Sequence, residues 1–290
     1  MPVQYTTVSG YFAQDDPTTA PKTFDYTVGD FGLIQQRYET DFEFDPSNSR
    51  TQWERFSHFL ASLNKHAPQG VQYKLLYLGR HGEGYHNVAE ARYGTLAWDA
   101  YWSKLDGDGQ TTWDDAQLTA TGVAQAHTAH EFWKRGLRAA KMPAPQTYYV
   151  SPHRRCIATA LGTFSGLELP QGQPFAPVVK ELLRECIGEH TCDRRSAKSV
   201  IEAEFPTCTF EPGFAETDPF WRADYRETDA EMIARVRSLL DDIFTSDSST
   251  YISFSSHSGA IRAILAAVGH IVFPLATGAV IPVMVKATMV

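Results

Sequence analysis

Cysteine is scarce. The 290 residues hold four, Cys156, Cys186, Cys192 and Cys208. Their spacing forms neither C-x-x-C pairs nor a zinc ribbon, which argues against a disulfide or zinc framework and for reduced thiols in a cytoplasmic protein. Positive charge is the minority sign: 26 Lys and Arg face 34 Asp and Glu, a net charge of -8. That balance disfavours nucleic acid, whose non-specific binding needs phosphates neutralised over a broad surface. A local cationic pocket for one small phosphate survives it, because short-range charges outweigh the net. Long apolar runs are missing too. Between Ala260 and Val290 the apolar stretch is broken by Arg262, His270, Pro274, Pro282 and Lys286, before the roughly 20 residues that a membrane helix needs. Met1 to Gln14 has no basic n-region and no apolar h-region, so neither signal peptide nor membrane partner is expected.

Several nucleotide and hydrolase signatures are also absent. Gly82-Glu83-Gly84 is followed by Asn87 where a dinucleotide fold wants its third glycine. There is no Walker loop. Ser258 sits in Ser256-His257-Ser258-Gly259-Ala260, which is not the G-x-S-x-G of a serine hydrolase. Asp106-Gly107-Asp108-Gly109 lacks the register and distal Glu of a calcium loop, and His127 and His130 lack the H-E-x-x-H context of a metal pair. No metal and no cofactor is expected.

What is present is a strand with a charged exit. Tyr73 to Leu78 is short, mostly apolar and followed by glycine, the pattern of a buried strand. It delivers Arg80 and His81 to its carboxyl end, where ligands bind in open α/β sheets. Three further strands end in polar clusters: Thr147–Val150 before Arg154-Arg155, Val178-Val179 before Arg184-Glu185, and Tyr251–Phe254 before His257. Val280–Val285 reads as the strand that closes the sheet. Helices are expected at 49–64, from about Tyr85, from Thr121 as cap to about Arg138 with Val123, Ala126, His130, Trp133 and Leu137 on one face, after Arg155 to about Phe164, after the Thr228–Glu231 capping box, and after Gly259. Strands alternating with helices predict an α/β three-layer sandwich with a mostly parallel sheet covered on both faces.

The chain reads as one domain over 1–290. Residues 1–69 supply an extended, aromatic N-terminal arm and a helix, and 73–290 a catalytic core with lid-like insertions near 93–115 and 186–227. The second insertion is expected to form another wall of the pocket. In a parallel sheet the four polar strand ends share one edge. Two histidines, two arginines and a carboxyl meeting there suit phosphoryl transfer. Arginine forks hold the equatorial oxygens, a neutral imidazole attacks in line, and a protonated carboxyl supplies the leaving alkoxide.

These blocks resemble the histidine phosphatase superfamily, which includes the phosphoglycerate mutases. Leu78-Gly79-Arg80-His81-Gly82-Glu83 is similar to its R-H-G signature. Asp115–Thr119 with Gly122, Gln125 and Ala126 resembles D-x-x-L-T-x-x-G-x-x-Q-A. Ser151-Pro152 with Arg155, Thr159 and Ala160 resembles S-P-x-x-R-x-x-x-T-A, Leu183-Arg184-Glu185 with Gly188 the acid-bearing segment, and Ser256-His257 with Gly259, Ile261 and Arg262 S-H-x-G-x-I-R. The resemblance implies a phosphoglycerate mutase-like fold, a phosphohistidine on His81, Glu185 as proton donor, and a phosphate pocket of Arg80, Arg155, His257 and Asn87, without metal. Glu83-Gly84-Tyr85-His86-Asn87 departs from the serine and tryptophan-asparagine pattern of mutases and is closer to fungal phosphomutase-like proteins. The Gly188–Arg195 run departs as well, and makes Arg194 and Arg195 candidates for a second anionic group of the substrate. The expected activity is metal-independent hydrolysis of a small phosphate monoester. A phosphomutase is the alternative within enzymes, and a catalytically inactive interaction module the alternative outside them. Oligomeric state and natural substrate are left open.

Overall fold

The computed structural model describes residues 3–289. Seven strands form one sheet: β1 Val3–Thr7, β2 Val71–Arg80, β3 Thr147–Val150, β4 Pro177–Val179, β5 Thr209–Phe210, β6 Tyr251–Ser256 and β7 Val280–Met289. Their spatial order is β1-β7-β2-β6-β3-β4-β5. Pairing is parallel from β2 through β6, β3 and β4 to β5, and only β7 runs against its neighbours. The helices are α1 Asp41–Phe44, α2 Gln52–Lys65, α3 Tyr85–Tyr93, α4 Thr95–Ala100, α5 Ala120–Arg135, α6 Arg154–Phe164, α7 Lys198–Glu204, α8 Asp229–Ser246 and α9 Ser258–Ala267.

Helices cover both faces of the sheet, making a three-layer α/β sandwich. On one face α8 and α9 bury Val236, Leu240, Ile261 and Ile264 against Leu76, Leu78, Ile252 and Phe254. On the other, Trp53 and Phe56 of α2 and Phe132 and Trp133 of α5 meet Leu75 and Tyr77. Alternate β2 side chains therefore feed opposite cores, as a strand buried on both sides must. The N-terminal arm joins the second core through Phe12, Tyr26, Phe31 and Tyr38. Among the described residues no helix is long and apolar enough to cross a membrane.

Three expectations are corrected. β7 does not close the sheet: it lies between β2 and β1, an edge strand contributed by the arm. β1 pairs with β7 only from Val285 onward, so Pro282, which has no N–H to give a ladder, lies beyond its reach, and the Gln14 side chain donates to the Pro282 carbonyl instead (2.8 Å). Residues 186–227 are less irregular than expected, since they contain α7 and the edge strand β5. The cap of α5 is Thr119, not Thr121. Thr119 is extended (φ -76°, ψ 172°) and its hydroxyl accepts the Gly122 N–H, whereas Thr121 already lies inside the helix. The buried face turns accordingly to Ala126, Ala129, Phe132 and Trp133, leaving Val123 exposed. The helix stops at Arg135 and passes into a wide turn, Gly136–Ala140.

Candidate active site

Sheet register assembles the site. Arg80 pairs with Ser256 across β2 and β6, and Val150 with Ser255 across β3 and β6. The residues immediately after these therefore emerge at one edge, His81 level with His257 and Ser151 one residue behind them. Ladder bonds extend past the strands to hold them, from His81 N–H to the Ser256 carbonyl and from Ser151 N–H to the Ser255 carbonyl, both 2.9 Å. The β4 exit is tied in by the Ser256 hydroxyl, which donates to the Leu183 carbonyl (2.9 Å).

These ends border a cavity of about 730 Å³ whose lining includes Arg80, His81, Asn87, Arg155 and Glu185. Nδ1 of His81 lies 2.7 Å from the Gly82 carbonyl oxygen, which only a protonated Nδ1 can satisfy. The lone pair is thereby left on Nε2, for which no partner is found among the described residues. Burial, then the positive charges of Arg155 and Arg80, push the His81 pKa well below the ordinary histidine value. The ring is neutral near pH 7, as a nucleophile must be.

Arg155 is fully buried. It donates to the Cys192 carbonyl (2.6 Å), to Asp193 (3.3 Å) and to Nδ1 of His257 (3.1 Å). Arg80 donates to the Leu275 carbonyl (2.7 Å). Nε of each arginine is buried with no partner among the described residues, leaving spare donors beside the cavity. Glu185 sits at the start of α9, where the amides of Gly259 (3.0 Å) and Ala260 (3.2 Å) donate to its two carboxyl oxygens. A Cβ on Gly259 would overlap that carboxyl, so a larger residue there would push it from its place. Burial, then the charge of Asp193, raises the Glu185 pKa against the opposing pull of the Gly259 amide and Arg155.

The threonine- and glycine-bearing blocks brace the signature loop. A Cβ on Gly82 would strike the Gly122 backbone, and one on Gly122 would strike the Glu83 backbone, so the loop and the start of α5 touch directly. The Thr119 hydroxyl donates to Glu83 (2.6 Å) and the Gln125 side chain accepts the Glu83 N–H (2.7 Å). Thr159 accepts the Gly82 N–H (2.9 Å) and donates to the Arg155 carbonyl (2.7 Å), linking loop to α6. Asp115 accepts the Arg154 N–H at the start of α6 (3.1 Å) and the Ser196 N–H (2.9 Å).

The family model for the histidine phosphatase superfamily (branch 1) matches residues 76–276, spanning all of these elements. The chain belongs to the histidine phosphatase superfamily. A protein of Arthroderma benhamiae named as a probable phosphoglycerate mutase is 55% identical over 284 residues, covering 98% of this chain and 84% of its own. Phosphomutase-like protein 3 of Candida albicans is 35% identical over 283 residues, with 97% and 80% covered. A solved mycobacterial glucosyl-3-phosphoglycerate phosphatase aligns at 20% identity over 68% of this chain and 79% of its own with a TM-score of 0.40, a likeness too loose to bear on substrate or mechanism.

Several residues stand elsewhere than the sequence led one to expect. His257 does not line the cavity. It stands one layer behind, its ring centroid 5.2 Å from that of His81, with Nδ1 accepting from Arg155 and Nε2 donating to the Ser151 hydroxyl (2.7 Å). The donor order follows because arginine only donates. Arg184, grouped with Glu185 at the strand end, turns away into ion pairs with Glu181 (3.0 Å) and Asp218. Asn87 reaches the cavity wall, while its Oδ1 accepts the Gly84 N–H (3.0 Å) and caps α3. Arg194 and Arg195 are corrected outright, since neither lines the cavity. Arg194 pairs with Asp106 and Asp114, and Arg195 is buried on Glu181 and a run of backbone carbonyls.

Residues the sequence reading passed over line the cavity instead: His86, His190, Asp193, Arg226 and Arg262. His86 and Arg262 lay inside quoted motifs. His190 and Asp193 lay inside the Gly188–Arg195 run, but Arg226 carried no local signal, because the segment between 186 and 227 folds back on itself to bring it to Asp193 (2.9 Å). Trp98 of the first insertion also reaches the wall, but Trp113 packs behind it with Ala89 and Ala116. Among the described residues one group has metal-ligating atoms clustered, within 4.8 Å of one another: His190, Cys192 and Asp193. Both Asp193 oxygens are engaged by Arg155 and Arg226, and burial, then the charge of Asp193, pushes the Cys192 thiol up. Asp193 is thus committed to the protein's own cations.

Proposed function

We propose that the chain is a phosphatase that hydrolyses a small-molecule phosphate monoester through a phosphohistidine on His81, with Glu185 as proton donor and without a metal. The observation that carries this reading is one cavity holding a neutral imidazole, fixed through Nδ1 on Gly82, and a buried carboxyl whose pKa is raised by burial and by the charge of Asp193. Nε2 of His81 attacks phosphorus. The N–P bond forms as the ester P–O bond breaks, and Glu185 gives its proton to the departing oxygen. Arg80 and Arg155 hold the non-bridging oxygens with charge-assisted bonds. Glu185, now ionised, takes a proton from a water that attacks the phosphohistidine. The N–P bond breaks, the electron pair returns to Nε2, phosphate leaves and Glu185 is protonated again. The free thiols support a cytoplasmic setting.

The names carried by the two fungal relatives favour a second reading, a mutase that returns the phosphoryl group to an acceptor hydroxyl. One experiment separates the two. Purified protein is given aryl and alkyl phosphates in EDTA, with acid-labile phosphoprotein trapped during turnover. Phosphate release that persists in EDTA and a phosphoprotein lost in His81→Ala are expected. EDTA-sensitive release, or full activity in His81→Ala, overturns the phosphatase reading. Transfer to an acceptor that exceeds hydrolysis and needs a bisphosphate primer selects the mutase.

A further inference from the structure

The cavity wall is lined by four arginines and six carboxyl side chains, of which Glu185 is the proposed proton donor and Glu227 is held by Arg235, so the cationic charge has no excess over the rest. The distribution decides what can bind beyond the phosphoryl group. Arg80 is the one lining arginine with no carboxylate partner among the described residues, and it stands beside His81. Arg155 and Arg226 share Asp193, at 3.3 and 2.9 Å. Arg262 is paired with Asp229 at 2.7 Å. Glu227 is held at 2.7 Å by Arg235, and so has no influence to spare.

Unneutralised charge away from His81 is negative. Glu90 accepts only the Thr95 hydroxyl (3.0 Å). Asp99 faces only His190, at 3.7 Å. Burial, then the charge of Arg226, lowers the His190 pKa, so that ring gives Asp99 no positive charge near pH 7. With Arg155 given to the phosphoryl group, Asp193 is left to neutralise Arg226 and Asp229 holds Arg262, so the two free charges on that wall would repel a second anionic group of a substrate.

We infer that the natural substrate is a phosphate monoester of an uncharged or cationic alcohol, polyhydroxylated or amine-bearing, without a second anionic group. The inference rests on the phosphatase reading and narrows it, and it runs against a phosphoglycerate. Glu90 and Asp99 are its specificity-determining residues, and the Arg262–Asp229 pair withholds the nearest cation. Because Asp99 and Asp229 keep 56% and 76% of their side-chain surface in solvent, water screens part of the effect. A discrimination of about tenfold in kcat/KM is the scale to expect at low salt.

The test uses three esters of one size: glycerol phosphate, phosphoglycerate and aminohydroxypropyl phosphate, which end in a hydroxymethyl, a carboxylate and an aminomethyl group. kcat/KM is measured for each, alongside phenyl phosphate as an indifferent ester and binding of the same three to His81→Ala by calorimetry. The hydroxymethyl and aminomethyl esters should exceed the carboxylate by about tenfold or more. The gap should narrow in Glu90→Gln and Asp99→Asn. Asp229→Asn, which frees Arg262, should raise the relative rate with phosphoglycerate. Phosphoglycerate equal to or better than glycerol phosphate, in turnover or in binding, overturns the inference. Should phenyl phosphate itself resist hydrolysis, the phosphatase reading fails, and the binding order still decides the charge preference.

Discussion

Nδ1 of His81 lies 2.7 Å from the carbonyl oxygen of Gly82, its own neighbour in the chain. That bond fixes the tautomer, and burial with Arg155 and Arg80 nearby keeps the ring neutral below the ordinary histidine range. Protonation would silence His81 as the proposed nucleophile, so the acid limb of activity should fall below about pH 6.5, the unperturbed value. The measurement is kcat/KM for an aryl phosphate from pH 4.5 to 8, corrected for the ester's own ionisation near about pH 6. A limb at or above the unperturbed histidine value, once corrected, would contradict the neutral, tethered imidazole.

Stability should respond to the same chemistry. His81, His86, His153 and His257 are buried, and each has its pKa pushed well below 6.5, burial first and the charge of Arg155 second. The unfolded chain binds protons at these sites from about pH 6.5 downward while the folded chain does not, so the unfolded state carries more protons in that window. Stability therefore rises with pH there and is lost on acidification, by about 1.4 kcal/mol per pH unit for each histidine that stays neutral when folded. Tm should already fall between pH 7 and 5, before most carboxylates titrate. A Tm flat over that range, or one that falls equally after His86→Gln and His153→Gln, would count against withheld protonation as its cause.

Glu185 and Gly259 act as a unit. The acid is placed by two amides at the start of α9, and an added Cβ at 259 would overlap it. Glu185→Gln should slow esters with poor leaving groups by about a hundredfold or more, with less loss for good ones. Gly259→Ala should reproduce that leaving-group pattern while retaining the carboxyl. The Glu185 pKa is raised, so donation fails only above the usual carboxylate range. Removing the charge of Asp193, the second contributor to that shift, should move the basic limb of the pH profile to lower pH in Asp193→Asn. Equal losses for good and poor leaving groups would remove Glu185 from the role.

What the sequence disclosed and what it hid follow physical lines. β2 was legible because a strand buried on both faces is mostly apolar, Lys74 apart, and its charged exit stands out against it. The polar strand ends were legible because parallel pairing brings carboxyl ends to one edge whatever the crossovers. Edge strands were not legible: β5 is two residues long and β1 is solvated on one side, so neither shows a run or a strong alternation. Thr119 went unread as the cap, since its second task, donating to Glu83 from 36 residues away, has no local trace. Arg194 and Arg195 looked like anion ligands because a sequence lists charges and not their partners. Their carboxylates, Asp106, Asp114 and Glu181, are up to 88 residues distant. His257 was found but placed one layer too far forward, because a strand-end position does not say which way a ring leans.

That layer can be measured. His257 accepts from Arg155 through Nδ1 at 3.1 Å and donates to Ser151 through Nε2 at 2.7 Å, so on the proposed mechanism its effect on substrate would run through the guanidinium it holds. Arg155→Lys keeps the charge but cannot reach Cys192, Asp193 and His257 together. It should cost about a hundredfold in kcat/KM, and truncation to alanine should also lower stability by about 3–5 kcal/mol, since Asp193 would be left with one cation fewer. His257→Asn should cost less. If the histidine works only by aiming Arg155, the double variant should be little worse than Arg155→Lys alone, a coupling that a cycle of kcat/KM values reads directly. Losses that multiply would instead give His257 its own contact with the phosphoryl group, and move it back into the cavity wall.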